Sequence, residues 1–213
     1  MNTIKHFENI GIVIIAAGDS SRLGQPKQLV QFRGESILVR TIEIARKLSD
    51  TFVCVLGYQA DEIVSQLNIS TSHLIVNNDW SQGMGSSIAT GVDFLSTKKN
   101  IDAIMILLSD QYMITISELI ELAEKWQSTN NNIIASQYFE NKQMRFVEGA
   151  PAIFSRIYFE QLKKLTIKGA RDIIKNNPQD LMSLQIDNAS FDLDTKTDLQ
   201  HLRNLNLDWE KTQ

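Results

Sequence analysis

Residues 12–30 read IVIIAAGDSSRLGQPKQLV, an aliphatic run that gives way to Gly18, Asp19, Ser20, Ser21, Arg22, Gly24 and Lys27. A glycine at the end of such a run lets backbone N–H groups approach an anion. Arginine meets phosphate through a planar fork of donors, and lysine adds a mobile point charge. These are the parts of a polyphosphate grip. The Ser20 and Ser21 hydroxyls can donate to phosphate, and they can equally well shape the turn. Gly24 is expected to keep the chain out of the space between the two cations, and Pro26 to stiffen the approach to Lys27. The stretch is neither a Walker loop nor a dinucleotide fingerprint: no Gly-Lys is followed by Ser or Thr, and GDSSRLG does not spell GxGxxG.

Polyphosphate chemistry also needs charge compensation, and Mg²⁺ takes oxygen ligands with one or two protein carboxylates among them. Asp110 directly follows the apolar run IMILLS. In a parallel sheet that position lies at the same end as the glycine loop. FDLDT, near the end of the chain, supplies Asp192 and Asp194, which share a direction if the segment is extended with Leu193 turned inward. Asp194 is the stronger candidate of the two. Capping of the helix entered through Thr195 is the competing role for Asp194, a solvated turn for Asp192, and a loop cap for Asp110.

The elements that must position these groups follow from periodicity. Ile10–Ala16, Phe52–Leu56 and Ile101–Leu108 are short aliphatic runs of the kind covered on both faces. His73–Val76, Ile133–Ala135 and Leu184–Ile186 read as further strands. Helical spacing occupies 36–48, 61–67, a stretch from Ser86 or Ser87 to Leu95, 155–165, 169–175 and 198–205. Another helix, capped by Ser117, carries Leu119, Leu122, Ala123 and Trp126. The aperiodic stretch 140–151 is expected to cover the site. The rhythm is βαβαβαβα and predicts an α/β fold, a mostly parallel sheet with helices on its faces, in which ligands sit at the strands' carboxyl ends. One domain over 1–213 is expected, with its core at about 10–205.

With 213 residues, 43% hydrophobic and 22% charged, the chain is long enough for a sizeable core. A net charge of -4 and the absence of a basic stripe speak against a nucleic-acid partner. No apolar run is long enough to cross a bilayer, MNTIKHFEN has no secretory h-region, and the single cysteine, Cys54, fits a core strand in a reducing compartment. A cytoplasmic location is the expectation. His6, His73 and His201 are too scattered for a zinc centre. Trp80 either lines the pocket or supports the loop.

The ordered segments AAGDSSRLGQPKQL, VLGYQADEI, NNDWSQGMGSSIATG, LLSDQ, GAPAIF, KGARDII and FDLDTKTDL resemble the MobA-like nucleotidyltransferases, in particular their molybdenum cofactor cytidylyltransferase branch. The resemblance runs from about residue 10 to residue 205. It implies a Rossmann-like three-layer αβα fold and transfer of a nucleoside monophosphate from an NTP to a terminal phosphate, with release of pyrophosphate. It implies triphosphate contacts for Gly18, Arg22 and Lys27, and magnesium contacts for Asp110 and Asp194, with Asp192 beside them. Gly83, Met84, Ser86 and Ser87 are implied to line the nucleotide or acceptor side of the cleft. Ala16-Ala17-Gly18 resembles the cytidine-using branch, so CTP is the implied donor. The implied acceptor is molybdenum-loaded molybdopterin, and a molybdoenzyme maturation partner would follow. Arg171 is expected to face an acceptor phosphate, because Gly169-Ala170 permits close approach.

Several positions depart from the family pattern. Tyr112 stands where proline often follows Asp-Gln. Glu148-Gly149-Ala150-Pro151 replaces an Arg-Gly-Asn/His-Pro-like approach, Ile167-Lys168 replaces Gly-Asp, and Gly85 replaces a serine. The triphosphate half is thus expected to be intact and the acceptor half altered, with Glu148 repelling an anionic acceptor unless Lys142 or Arg145 pairs with it.

Overall fold

A computed structural model describes residues 5–67, 70–140 and 144–211. In chain order the elements are β1 (Ile10–Ala16), β2 (Gln31–Phe32), β3 (Glu35–Ser36), α1 (Ile37–Leu48), β4 (Phe52–Leu56), α2 (Ala60–Gln66) and β5 (Leu74–Val76). Then come α3 (Met84–Ser96), β6 (Ala103–Leu108), α4 (Ile116–Ser128), β7 (Ile133–Glu140), β8 (Arg145–Ser155), α5 (Phe159–Leu162), α6 (Arg171–Asn176), β9 (Leu181–Gln185) and α7 (Lys196–Glu210).

The main sheet has the order β5-β4-β1-β6-β8-β7-β9. All neighbouring pairs are parallel except the two made by β8, which runs against both β6 and β7. Alternation within β1 shows why its aliphatics are continuous. Ile10, Ile12, Ile14 and Ala16 join the core shared with α1, α2 and α4, while Val13 and Ile15 join the core shared with α3, α5 and α6. Both faces are covered, and the fold is α/β in three layers. A third cluster, outside the sheet, packs Leu23, Val30, Phe32, Tyr112, Leu193 and Leu202 together. It fastens the segment around Leu193, and the helix that follows, to the loop after β1.

The structure corrects several sequence expectations. The stretch 140–151 is not an irregular cover. Most of it is β8, paired with β7 up to Glu140↔Arg145, with a register shift at Ala135/Ser136 that breaks the alternation. Lys142 lies outside the described residues. Helix α4 is capped by Thr115, whose side chain accepts from the Glu118 N–H in a full capping box, and not by Ser117. Helix α3 begins at Met84, ahead of the two serines. The helical spacing at 155–165 resolves into a 3-10 turn at Arg156–Tyr158 and the short α5.

Candidate active site

The carboxyl ends of β1 and β6 are adjacent in the sheet, so the loops after Ala16 and Leu108 share one rim, as parallel topology requires. The first loop is fixed from beneath by Gln28, a residue to which the sequence reading gave no role. Gln28 is buried, and its Nε2 donates to the carbonyls of Ala16 at 2.8 Å and Gly18 at 3.2 Å. Ser20 Oγ accepts from the Lys27 backbone N–H at 3.1 Å, so the Ser20 hydroxyl serves the turn. The left-handed positions are Ser20 (φ 55°) and Gly24 (φ 83°), and Gly18 is not among them. Gly24 therefore serves the turn itself. A Cβ at Gly18 would meet no atom within 4 Å, so Gly18 contributes open space where the loop faces the cavity.

The FDLDT segment reaches the same rim through an antiparallel bridge between Asp192 and Gln111, and through the Leu193 N–H, which donates to the Asp110 carbonyl at 3.1 Å. Gln111 Nε2 in turn donates to the carbonyls of Ala150 at 2.9 Å and Ala189 at 2.8 Å, tying the end of β6 to β8 and to the turn before FDLDT. The residues from opposite ends of the chain meet here. Lys27 Nζ forms an ion pair with Asp110 Oδ2 and lies 3.4 Å from Asp194 Oδ1, while Arg22 reaches Asp194 Oδ2 at 2.9 Å. The capping role weighed for Asp194 belongs to Thr195 and Asp198, which close a capping box around the start of α7. Burial opposes the Lys27 ammonium, but attraction from Asp110 and then Asp194 prevails and raises its pKa above the ordinary lysine range.

Asp192 is not a solvated turn residue. Burial, then repulsion from Asp110 and Asp194, raises its carboxyl from 3.8 to about 7. A carboxyl raised on folding adds stability that is fully present below its unfolded pKa and is lost as pH rises through the folded value. The stability contributed by Asp192 is therefore expected to be lost between about pH 4 and pH 7, and Asp192→Asn to flatten that part of the profile. Thermal melts of both proteins across this range would test it. Parallel profiles would show that Asp192 does not titrate this way.

Asp110 Oδ1 and Asp192 Oδ1 are buried and have no hydrogen-bond partner. Unpartnered carboxylate oxygens facing each other's charge suit a hard cation with oxygen ligands. Among the described residues no group of three or more His, Cys, Asp or Glu side chains forms a ready metal cage. The expected Asp110, Asp192 and Asp194 set is thus interleaved with Lys27 and not assembled as an open three-carboxylate site.

A cavity of about 860 Å³ opens beside this cluster, lined on the loop side by Gly18 to Arg22 and by Lys27. Its far side carries Met84, Tyr138, Glu140, Phe154 and Arg171. The Arg171 guanidinium is held by Tyr138 Oη at 2.6 Å and Glu140 Oε1 at 3.2 Å, so it faces the cavity as a braced cation. Glu148, expected to repel an acceptor, instead accepts from Gln137 Nε2 at 3.0 Å and is absent from the cavity lining. Tyr112 likewise points away, into the third cluster against Phe32. A smaller cavity of about 260 Å³ adjoins the first and is lined by Ala16, Ala17, Trp80, Gly83, Met84 and Ser87 among others.

Ser86 is placed differently from Gly83, Met84 and Ser87. Its hydroxyl accepts from Asn77 Nδ2 at 2.8 Å and sits within 3.0 Å of the carbonyls of Asp79 and Gly83, which fixes the start of α3 and leaves no free hydroxyl for a ligand. Asn77 Nδ2 also donates to Ser87 Oγ, at 3.0 Å.

The MobA-like NTP transferase domain family matches residues 12–181, and the chain belongs to that family. Among curated proteins it is similar to nicotine blue oxidoreductase of Paenarthrobacter nicotinovorans, with 36% identity over 101 residues, 46% of this chain and 48% of that protein. It is also similar to the molybdenum cofactor cytidylyltransferase of Escherichia coli K12, with 32% identity over 93 residues, 42% of this chain and 47% of that protein. The chain thus spans about half the length of these curated relatives. Among solved structures, Rv0371c of Mycobacterium tuberculosis H37Rv superposes with a TM-score of 0.77 at 24% identity, covering 92% of this chain and 97% of that one. A second structure of Rv0371c is a complex with manganese, at a TM-score of 0.73 and 22% identity, covering 91% of this chain and 97% of that one. These likenesses show the fold. Asp192 and Asp194 lie beyond the stretch that the family matches.

Proposed function

We propose that this chain moves CMP from CTP to the terminal phosphate of molybdenum-loaded molybdopterin and releases pyrophosphate. The observation that carries the transferase reading is the Lys27 bridge between Asp110 and Asp194, with Arg22 on the same aspartate, at the rim of a cavity large enough for two substrates. One curated relative bears the name of an oxidoreductase, so family membership alone does not select the chemistry. The cation and carboxylate pattern favours a polyphosphate.

Gly18 to Arg22 and Lys27 hold the triphosphate, and the smaller cavity at Ala17 and Trp80 takes the base. Asp110, Asp194 and Asp192 would hold Mg²⁺, a reading supported by the unpartnered oxygens of Asp110 and Asp192 and by the manganese complex of Rv0371c. When bound, the ion offsets charge on the α-phosphate and on the pyrophosphate. An acceptor phosphate oxygen attacks the α-phosphorus, the α–β bridging bond breaks, and pyrophosphate carries away the electron pair. Arg22 and Lys27 stabilise the charge that develops on the leaving group. Arg171, braced by Tyr138 and Glu140, orients the acceptor's anionic group. No side-chain nucleophile is needed.

Pyrophosphate release from CTP, GTP, ATP and UTP, each with metal-loaded molybdopterin or with sugar and polyol phosphates, tests this reading. Adduct from CTP and molybdopterin is expected. Turnover with a sugar or polyol phosphate alone would replace the acceptor, and CTP binding without any adduct would leave a nucleotide-binding maturation protein.

A further inference from the structure

We propose that the Lys27 ammonium is the resident counter-ion of the Asp110–Asp194 carboxylate pair, so that a divalent cation enters only together with nucleotide. The inference rests on the transferase reading above and adds an order of binding to it.

Lys27 and both partners are sheltered: their side chains are 15%, 14% and 26% exposed for Lys27, Asp110 and Asp194. Without a cation between them, these carboxylates would repel each other and Asp192 at close range. The Lys27 ammonium occupies that position. A metal ion arriving alone must break both Lys27 pairs and leave a sheltered ammonium without a partner, which is unfavourable. Nucleotide removes that obstacle, because its phosphates offer the ammonium new partners.

The local structure permits such a swing without moving the loop. The Lys27 backbone is pinned by its N–H bond to Ser20 Oγ, and its neighbour Gln28 is buried and bonded to Ala16 and Gly18. Only the flexible side-chain stem has to turn. Lys27 lines both the large cavity and the smaller one, and the space beside Gly18 is open. The remaining positive charge at the pair, Arg22, is 66% exposed and so is a weaker hold on the site. Asp110 Oδ1 and Asp192 Oδ1 stay unpartnered while the ammonium is in place, so one lysine leaves unused carboxylate oxygens that a divalent ion would take as ligands. Metal and nucleotide are thereby coupled through one side chain, and the coupling is reciprocal.

Mn²⁺ is the probe, its free concentration read by electron paramagnetic resonance with no acceptor present. Lys27→Met is expected to bind Mn²⁺ about tenfold more tightly than the unsubstituted protein in the absence of CTP, within the usual range of site coupling. Equal or weaker binding by Lys27→Met would overturn the counter-ion role. If the unsubstituted protein still takes up Mn²⁺ with CTP, the transferase reading stands without it, whereas failure to take up both together overturns the two at once. A second measurement needs no variant to fold. The ¹⁵N resonance of the Lys27 ammonium in the unsubstituted chain should stay in place when Mg²⁺ alone is added and move when Mg²⁺ and CTP are added together. Movement with Mg²⁺ alone would overturn the proposal.

Discussion

Lys27→Ala and Asp110→Asn are each expected to reduce metal-dependent nucleotidyl transfer by about 10²–10³-fold, the range for loss of one preorganised charge or donor at a reacting centre. Both variants should keep the native circular dichroism. The bonds that join Asp110 to its surroundings in the fold, from the N–H groups of Tyr112 and Leu193, end on its backbone carbonyl and survive a side-chain change. The Lys27 backbone bond to Ser20 Oγ survives for the same reason. The two losses have different origins. Asparagine keeps the shape of Asp110 but removes charge from the group whose free oxygen faces the cation position. Alanine at 27 removes a cation that would otherwise meet the leaving phosphates. Lys27 variants should therefore hold metal more tightly and yet turn over more slowly, a combination that general damage to the site would not produce. Steady-state pyrophosphate release checks both variants, and ordinary turnover in either one removes its residue from the mechanism.

A large loss of stability is expected on substitution of Gly85. A Cβ there would lie 2.3 Å from the Lys168 carbonyl oxygen and 2.8 Å from both N and O of Thr166. These are backbone atoms and cannot rotate aside. The same approach includes the Ser86 N–H donating to the Thr166 carbonyl at 2.7 Å, so the chain at 166–168 lies directly on the first turn of α3. Gly85→Ser is expected to destabilise the protein by about 3 kcal/mol or more, through overpacking and loss of that bond. For a chain of this size that corresponds to a melting temperature lowered by roughly 6–12 °C. Gly18→Ala is the contrast. Its added methyl group meets nothing, so stability should stay within about 0.5 kcal/mol of the parent. Thermal scans of the pair separate a glycine required by packing from one that leaves room for a ligand. Equal melting temperatures would refute the close approach at Gly85.

The central strands were legible because burial on both faces leaves unbroken aliphatic runs. Ile10–Ala16 and Phe52–Leu56 match the observed strands residue for residue. β8 was not legible, because the register shift beside it and the sequence Gly149-Ala150-Pro151 obscure the period-2 signal. Among the site residues, Arg22, Lys27, Asp110 and Asp194 announce themselves by charge at the ends of apolar runs, and the fold brings them together. Gln28 and Gln111 gave no such signal. A neutral amide that braces carbonyls across 10 to 78 positions has no local pattern, and its partners exist only once the chain has folded. Ser86 illustrates the opposite error. Its place in a family segment suggested a ligand contact, whereas its hydroxyl is taken up by Asn77 and by the carbonyls of Asp79 and Gly83. The Glu148 and Tyr112 departures looked damaging in one dimension, yet both side chains are directed away from the large cavity.

The third cluster has a bearing on biosynthesis. Leu193 and Leu202 pack against Leu23, Phe32 and Tyr112, so the candidate site needs residues that leave the ribosome only after every strand of the main sheet has been made. A nascent chain that has not yet emerged past residue 190 can complete the sheet and pair Lys27 with Asp110, but it leaves Arg22 without Asp194 and lacks two of the three aspartates. Ribosome-bound intermediates should therefore reach a folded scaffold before they become competent to handle nucleotide.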